Sequence, residues 1–300
     1  MTAQLTPLEP GLSELPRAWR PGPPRTAFVL SGGASLGALQ AGMLRALYER
    51  GITPDLLVGA SAGALNAAYV ATRPQTVETA KQLADVWRGL HRQDVFPIHP
   101  PTLVAGVANH RDHLVPDSQM RKLITSHLEV ERLEQTSVPL HLLTFDLLSG
   151  QEVLLSEGPA LEAVLAAAAI PGVLPPVHWG ERLLVDGGVV NNTPISHAIE
   201  LGAERIYVLP TADPAERGLP VPPRGALDAA VHAFTLLVGA RLQADLVRYA
   251  GAAELIVLPA VNPQHIQPTD FDHADRLIGG ALQGARTALD AIPVPLAVAA

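Results

Sequence analysis

Apolar positions follow two rhythms along this chain, and their alternation outlines a fold. Thr26–Leu30 is a short apolar run of the length of a buried strand, and Ser31-Gly32-Gly33 supplies the turn after it. Leu36, Leu39, Met43 and Leu47 then recur at helical spacing, with Gln40 and Arg45 off that face and Gly51 placed to end the helix. Residues 55–59 predict a second buried strand. Residues 62–71 predict a second helix, broken before Pro74. This order predicts an α/β fold of three layers, α/β/α, with a central mostly parallel sheet and ligands at the carboxyl ends of the strands.

The same reading places further strands at residues 140–145, 152–155, 182–185, 205–209 and 254–258. It places helices at 74–89, 117–127, 160–168, 194–201, 226–250 and 274–289. Residues 96–116 and 212–224 lack periodicity or are rich in proline, which predicts surface loops. Residues 1–24 hold Pro7, Pro10, Pro16, Pro21, Pro23 and Pro24 and predict an irregular tail. No boundary separates two cores, so the residues after the tail are expected to form one domain. In residues 226–250, Leu227, Val231, Phe234, Leu237, Leu242 and Leu246 share a stripe, which predicts a core-covering helix, with an interfacial lipid-binding helix as the alternative.

Composition narrows the chemistry. Hydrophobic residues make up 48% and charged residues 17% of the 300, enough apolar material for a covered sheet. A formal net charge of −8 leaves no basic surplus for nucleic acid or for docking on anionic lipid by charge. With no cysteine there are no disulfides or thiolate metal sites, which fits a cytoplasmic location. No stretch reads as a membrane span of about 18 apolar residues. Asp270-Phe271-Asp272 reads as a cap for the last helix, and neither metal nor cofactor is expected.

Three short motifs carry chemistry. Gly59-Ala60-Ser61-Ala62-Gly63 lies where a strand gives way to a helix, the context Gly-x-Ser-x-Gly requires of a nucleophile. Gly59 and Gly63 are needed there because strand and helix pass closely and the serine backbone is strained. The bland reading is a serine N-cap in a tight turn. Gly32-Gly33-Ala34-Ser35-Leu36-Gly37 can either cradle a pyrophosphate or aim N–H groups at an oxyanion. A dinucleotide site wants an acid at the end of the next strand, where Ser61 stands instead, so the oxyanion reading is favoured. Asp186-Gly187-Gly188 places an acid at a strand end. If the strands are parallel, Asp186 emerges beside Ser61.

Taken in this order, the three motifs resemble those of the patatin-like phospholipase family, over residues 25–210, which the resemblance makes the core, with 211–300 completing the same domain. Ala169-Ile170-Pro171 is similar to a short motif that precedes the aspartate in many members. The resemblance implies Ser61 as nucleophile and Asp186 as its base. It implies an oxyanion hole from Gly32, Gly33, Ala34 and Gly37, with Ala62 also donating, and Gly187 and Gly188 supporting the aspartate. It further implies an acyl-enzyme, a lipid or other acyl-ester substrate and transient contact with a membrane surface. The chain departs from many members at Ala34, where they carry a third glycine, and at Leu36, where they carry a basic residue. Ala34 is harmless if its φ is negative. Leu36 weakens the expectation of a phospholipid headgroup. The alternatives are a Ser-Asp-His triad using His197, His232, His265 or His273, transfer to an acceptor other than water, and a non-catalytic lipid-binding module.

Overall fold

The strands of the sheet are paired in the order β5-β6-β3-β2-β1-β7-β8, with β4 on the free edge of β3. In this computed structural model the described residues are 25–97, 99–108, 110–213, 225–261 and 266–292, with residues 226–228 described by backbone alone. The proline-containing tail, residues 214–224 of the expected second loop and His265 lie outside them. The strands are β1 (Thr26–Leu30), β2 (Leu56–Gly59), β3 (Leu140–Asp146), β4 (Gln151–Leu155), β5 (Val177–Trp179), β6 (Arg182–Asp186), β7 (Arg205–Leu209) and β8 (Glu254–Val257).

The helices are α1 (Ala38–Tyr48), α2 (Ala62–Ala71), α3 (Val77–Gly89), α4 (Arg92–Val95), α5 (Pro100–Val107), α6 (Ser118–His127), α7 (Ala160–Ala168), α8 (Gly188–Asn191), α9 (Ile195–Glu200), α10 (Ala226–Tyr249) and α11 (Ala274–Asp290). A 3₁₀ turn, Ala34–Gly37, precedes α1.

Strand residues alternate between two covered faces. Phe28 and Leu30 of β1, with Tyr207 and Leu209 of β7, join the larger core under α1, α2, α3, α7 and α11. Ala27, Val29, Ile206 and Val208 face the smaller core under α9 and the last turns of α10. Burial on both faces is why these strands read as unbroken apolar runs. The three-layer expectation therefore holds, and β1, β2, β3, β7 and β8 are parallel.

β6 departs from the expected direction and pairs antiparallel with β3. β4 occupies one edge of β3, opposite Leu142 to Asp146. β2 and β6 share the other edge from opposite ends: Gly59 pairs with Leu142, and Asp186 pairs with Thr144. Their carboxyl ends thus meet nearly head-on, about 7 Å apart along β3 at ~3.3 Å per residue. The two motifs come together by opposed strands, not by the parallel ones expected.

Other differences have local causes. β5 is too short for a periodic signal, and α5 forms inside the expected loop 96–116 because Pro100 and Pro101 occupy its first turn, where proline is tolerated. Asp270 is not the N-cap of α11. Its carboxylate accepts from the Asp272 N–H and meets His273, which is the cap residue. The core-covering expectation for α10 holds only at its C-terminal end. Leu242, Asp245 and Tyr249 are buried, whereas Phe234, Leu237 and Val247 are 43%, 63% and 81% exposed. By length and composition alone, Ala229–Tyr249 would also pass as a membrane span, contrary to the sequence reading.

Candidate active site

Ser61 sits at the first turn of α2 with φ 54° and ψ −127°, a backbone that L-residues avoid. Such strain costs about 1–3 kcal/mol and survives only where the surroundings impose it. Here they do. A Cβ on Gly63 would lie 2.1 Å from the Leu30 carbonyl oxygen, and one on Gly59 2.6 Å from that of Gly63. β1, β2 and α2 are pressed together around the serine, and its N–H is fixed to the Ala167 carbonyl at 2.9 Å.

The Ser61 hydroxyl faces the Asp186 carboxyl closely enough to lower its pKa. Asp186 is 4% exposed and its Oδ1 also accepts from the Gly188 N–H at 2.8 Å. Burial pushes its carboxyl up to about 6, while the Ser61 hydroxyl and the Gly188 N–H pull the other way. Gly187 is bare because a Cβ there would meet Leu143 at 2.6 Å.

The glycine-rich loop passes directly over Ser61, since a Cβ on Gly32 would come within 2.7 Å of the serine Cβ. Its donors differ from those expected. The Gly32 N–H donates to the Asn192 carbonyl at 3.1 Å and is not free. Gly37 serves packing: a Cβ there would strike Trp87 at 2.8 Å and Ala62 at 2.9 Å. Among the described residues, the N–H groups of Gly33, Ala34 and Ala62 meet no backbone or side-chain acceptor. Ala34 has φ 49°, so the condition of negative φ fails and the loop carries strain a glycine would relieve. Leu36 is 5% exposed and packs in the core, so this position provides apolar contact, not a phosphate ligand.

Sequence reading missed the side chains that hold this loop. Gln40, expected off the buried face, is fully buried and donates to the Ser31 and Leu209 carbonyls at 2.8 and 2.9 Å. Asn66 donates to Gln40 Oε1 and to the Gly37 carbonyl, and accepts from Trp87 Nε1 at 2.8 Å. Such a network is tolerable in a core because its members satisfy one another. A polar residue at helical spacing inside an apolar run was the available signal.

Ser61, Ala34 and Ala62 line a cavity whose other walls are almost wholly apolar, including Leu83, Trp87, Met120 and Ile124. Of the histidines proposed for a triad, His197 is held by Glu152 at 2.7 Å and by Glu200, and His273 by Asp270. Burial pushes the His197 imidazole down, but Glu152 and Glu200 together outweigh it and hold it above the usual range.

The patatin-like phospholipase family model matches residues 28–199, more than half of the chain, and the chain belongs to that family. An uncharacterized NTE family protein of Mycobacterium tuberculosis is 28% identical over 167 residues, which are 56% of this chain and 27% of that protein. A lysophospholipase of Mycosarcoma maydis is 24% identical over 189 residues, 61% of this chain and 9% of that protein. The chain thus spans about a quarter or less of the length of these curated relatives. The crystal structure of VipD from Legionella pneumophila aligns with 90% of this chain and 67% of that one at 17% identity and a TM-score of 0.48.

Proposed function

We propose that this chain hydrolyses carboxylic esters of lipids with Ser61 as nucleophile and Asp186 as its base. The observation that carries the reading is the juxtaposition of Ser61, held in a strained backbone at the mouth of an apolar cavity, with the buried carboxyl of Asp186, which burial raises to about 6. An aspartate at its ordinary value of ~3.9 accepts a proton from an alcohol poorly, and burial brings it toward the working pH. Asp186 takes the Ser61 proton as the oxygen attacks the ester carbonyl. The N–H groups of Gly33, Ala34 and Ala62 receive the oxyanion, and the alcohol leaves with the proton from Asp186. Water, deprotonated by the same carboxyl, then releases the fatty acid from the acyl-enzyme.

The apolar cavity supports an acyl chain as the part of the substrate it holds. A lysophospholipid, the class in the name of the similar fungal protein, and a neutral acyl ester both present such a chain. Exposed Val104 and Val107 of α5, and Leu237 and Val247 of α10, are apolar surface available for transient contact with a lipid aggregate.

A fluorophosphonate probe and a panel of p-nitrophenyl esters and phospholipids test the reading, wild type beside Ser61→Ala. Labelling and hydrolysis that depend on Ser61 support it, and equal labelling of both proteins removes Ser61 from the role. Activity confined to short esters would leave an esterase and remove the lipid.

A further inference from the structure

Two loops must keep register for the chemistry proposed above, and they come from distant parts of the chain. One carries Gly33 and Ala34, the other carries Asp186. The buried side chain of Asn192 lies between them, beside a buried Ser31–Thr193 hydroxyl contact at 2.8 Å that joins the same segments. Asn192, just beyond α8, donates from Nδ2 to the Gly32 carbonyl at 3.0 Å, and its own carbonyl accepts the Gly32 N–H at 3.1 Å. Its Oδ1 packs against both glycines: a Cβ on Gly32 would come within 2.3 Å of it, and one on Gly188 within 2.7 Å. Gly188 is the residue whose N–H holds Asp186. Thr211, after β7, adds a short hydrogen bond from its hydroxyl to the same Gly32 carbonyl.

We infer that Asn192 is a positioning residue for the Ser61 reaction, fixing the oxyanion loop against the turn that carries Asp186. With the Gly32 peptide pinned on both its N–H and its carbonyl, the next two N–H groups are presented as donors at no cost of reorganisation. The inference rests on the proposed roles of Ser61 and Asp186.

The test compares wild type, Asn192→Ala, Asn192→Asp and Ser61→Ala on one p-nitrophenyl ester. Competent sites are counted by fluorophosphonate labelling, so that unfolded protein drops out. Assayed at pH 8–9, where the carboxyl is ionised, aspartate keeps the shape of asparagine but cannot donate to the Gly32 carbonyl. Both Asn192 variants are expected to lose about 10–100-fold in kcat per competent site with KM within about twofold, since small misplacements near the chemistry carry costs of this order. The labelling rate should fall in parallel. The Thr211 hydroxyl still serves the Gly32 carbonyl in either variant, so neither orphans it. Wild-type kcat in Asn192→Asp would reduce Asn192 to a space-filling role and overturn the inference, whatever Asn192→Ala does. Hydrolysis surviving in Ser61→Ala would instead remove the nucleophile reading, a separate failure.

Discussion

The hydroxyl of Ser61 faces the carboxyl of Asp186 closely enough to lower its pKa, although the strands that deliver the two residues run in opposite directions. β2 and β6 abut along one edge of β3, so each motif ends where the other ends. Every glycine of the two motifs whose Cβ would collide does so with backbone or with a site residue. The geometry is therefore set by close approach.

Asp186 should impose a pH limit on catalysis. Its carboxyl is raised to about 6, and in the proposed mechanism only the ionised form can take the Ser61 proton. The kcat/KM profile is expected to fall on the acid side of pH ~6 with unit slope. A profile flat down to pH 4.5 would contradict this.

The same shift predicts a conflict between stability and activity. A carboxyl whose folded pKa is raised favours the protonated native state, so its ionised form destabilises the fold above pH ~6, and that effect fades to nothing below ~4. At about 1.4 kcal/mol per unit, the two-unit shift amounts to roughly 3 kcal/mol. Asp186→Asn is thus expected to raise Tm at pH 8 and to lose that advantage at pH 4. Thermal melts at the two pH values check it, and a Tm lowered at pH 8 would count against the burial argument.

Ala34 offers a backbone test. Its φ of 49° costs an L-residue about 1–2 kcal/mol, part of which glycine returns as unfolded-state entropy. Ala34→Gly should stabilise by about 0.5 kcal/mol and keep full activity. Gly63→Ala should do the opposite and fail to fold, because its Cβ would lie 2.1 Å from a backbone oxygen. A denaturant midpoint for Ala34→Gly and the circular dichroism and soluble yield of Gly63→Ala check the two.

Filling the cavity should change chain-length preference without touching the chemistry. Ile124 lines it from α6, away in sequence from both motifs. Ile124→Trp is expected to lower kcat/KM for a long-chain p-nitrophenyl ester at least about tenfold while leaving the acetate within twofold. Equal losses on both esters would argue against an acyl chain in that space.

Much of this was legible in the residues. Short apolar runs and helical spacing placed β1, α2, α7 and β7 closely, and Gly-x-Ser-x-Gly stood out because a strand precedes it and a helix follows. What stayed hidden was non-local. The direction of β6 depends on its pairing with β3, which no local pattern records. The exposure of Phe234 and Leu237 depends on what packs over the first half of α10, not on its own stripe. The occupied N–H of Gly32 depends on Asn192, far away in the chain, and Gln40 looked like a surface residue until two backbone carbonyls were found to need it.

The dyad is tested most directly by the steady-state rate of Asp186→Asn beside His197→Ala, His232→Ala, His265→Ala and His273→Ala. Asp186→Asn is expected to lose at least about 10³-fold in kcat while each histidine variant stays within about threefold of wild type. A histidine variant as inactive as Ser61→Ala, with Asp186→Asn retaining activity, would contradict the account and return the triad.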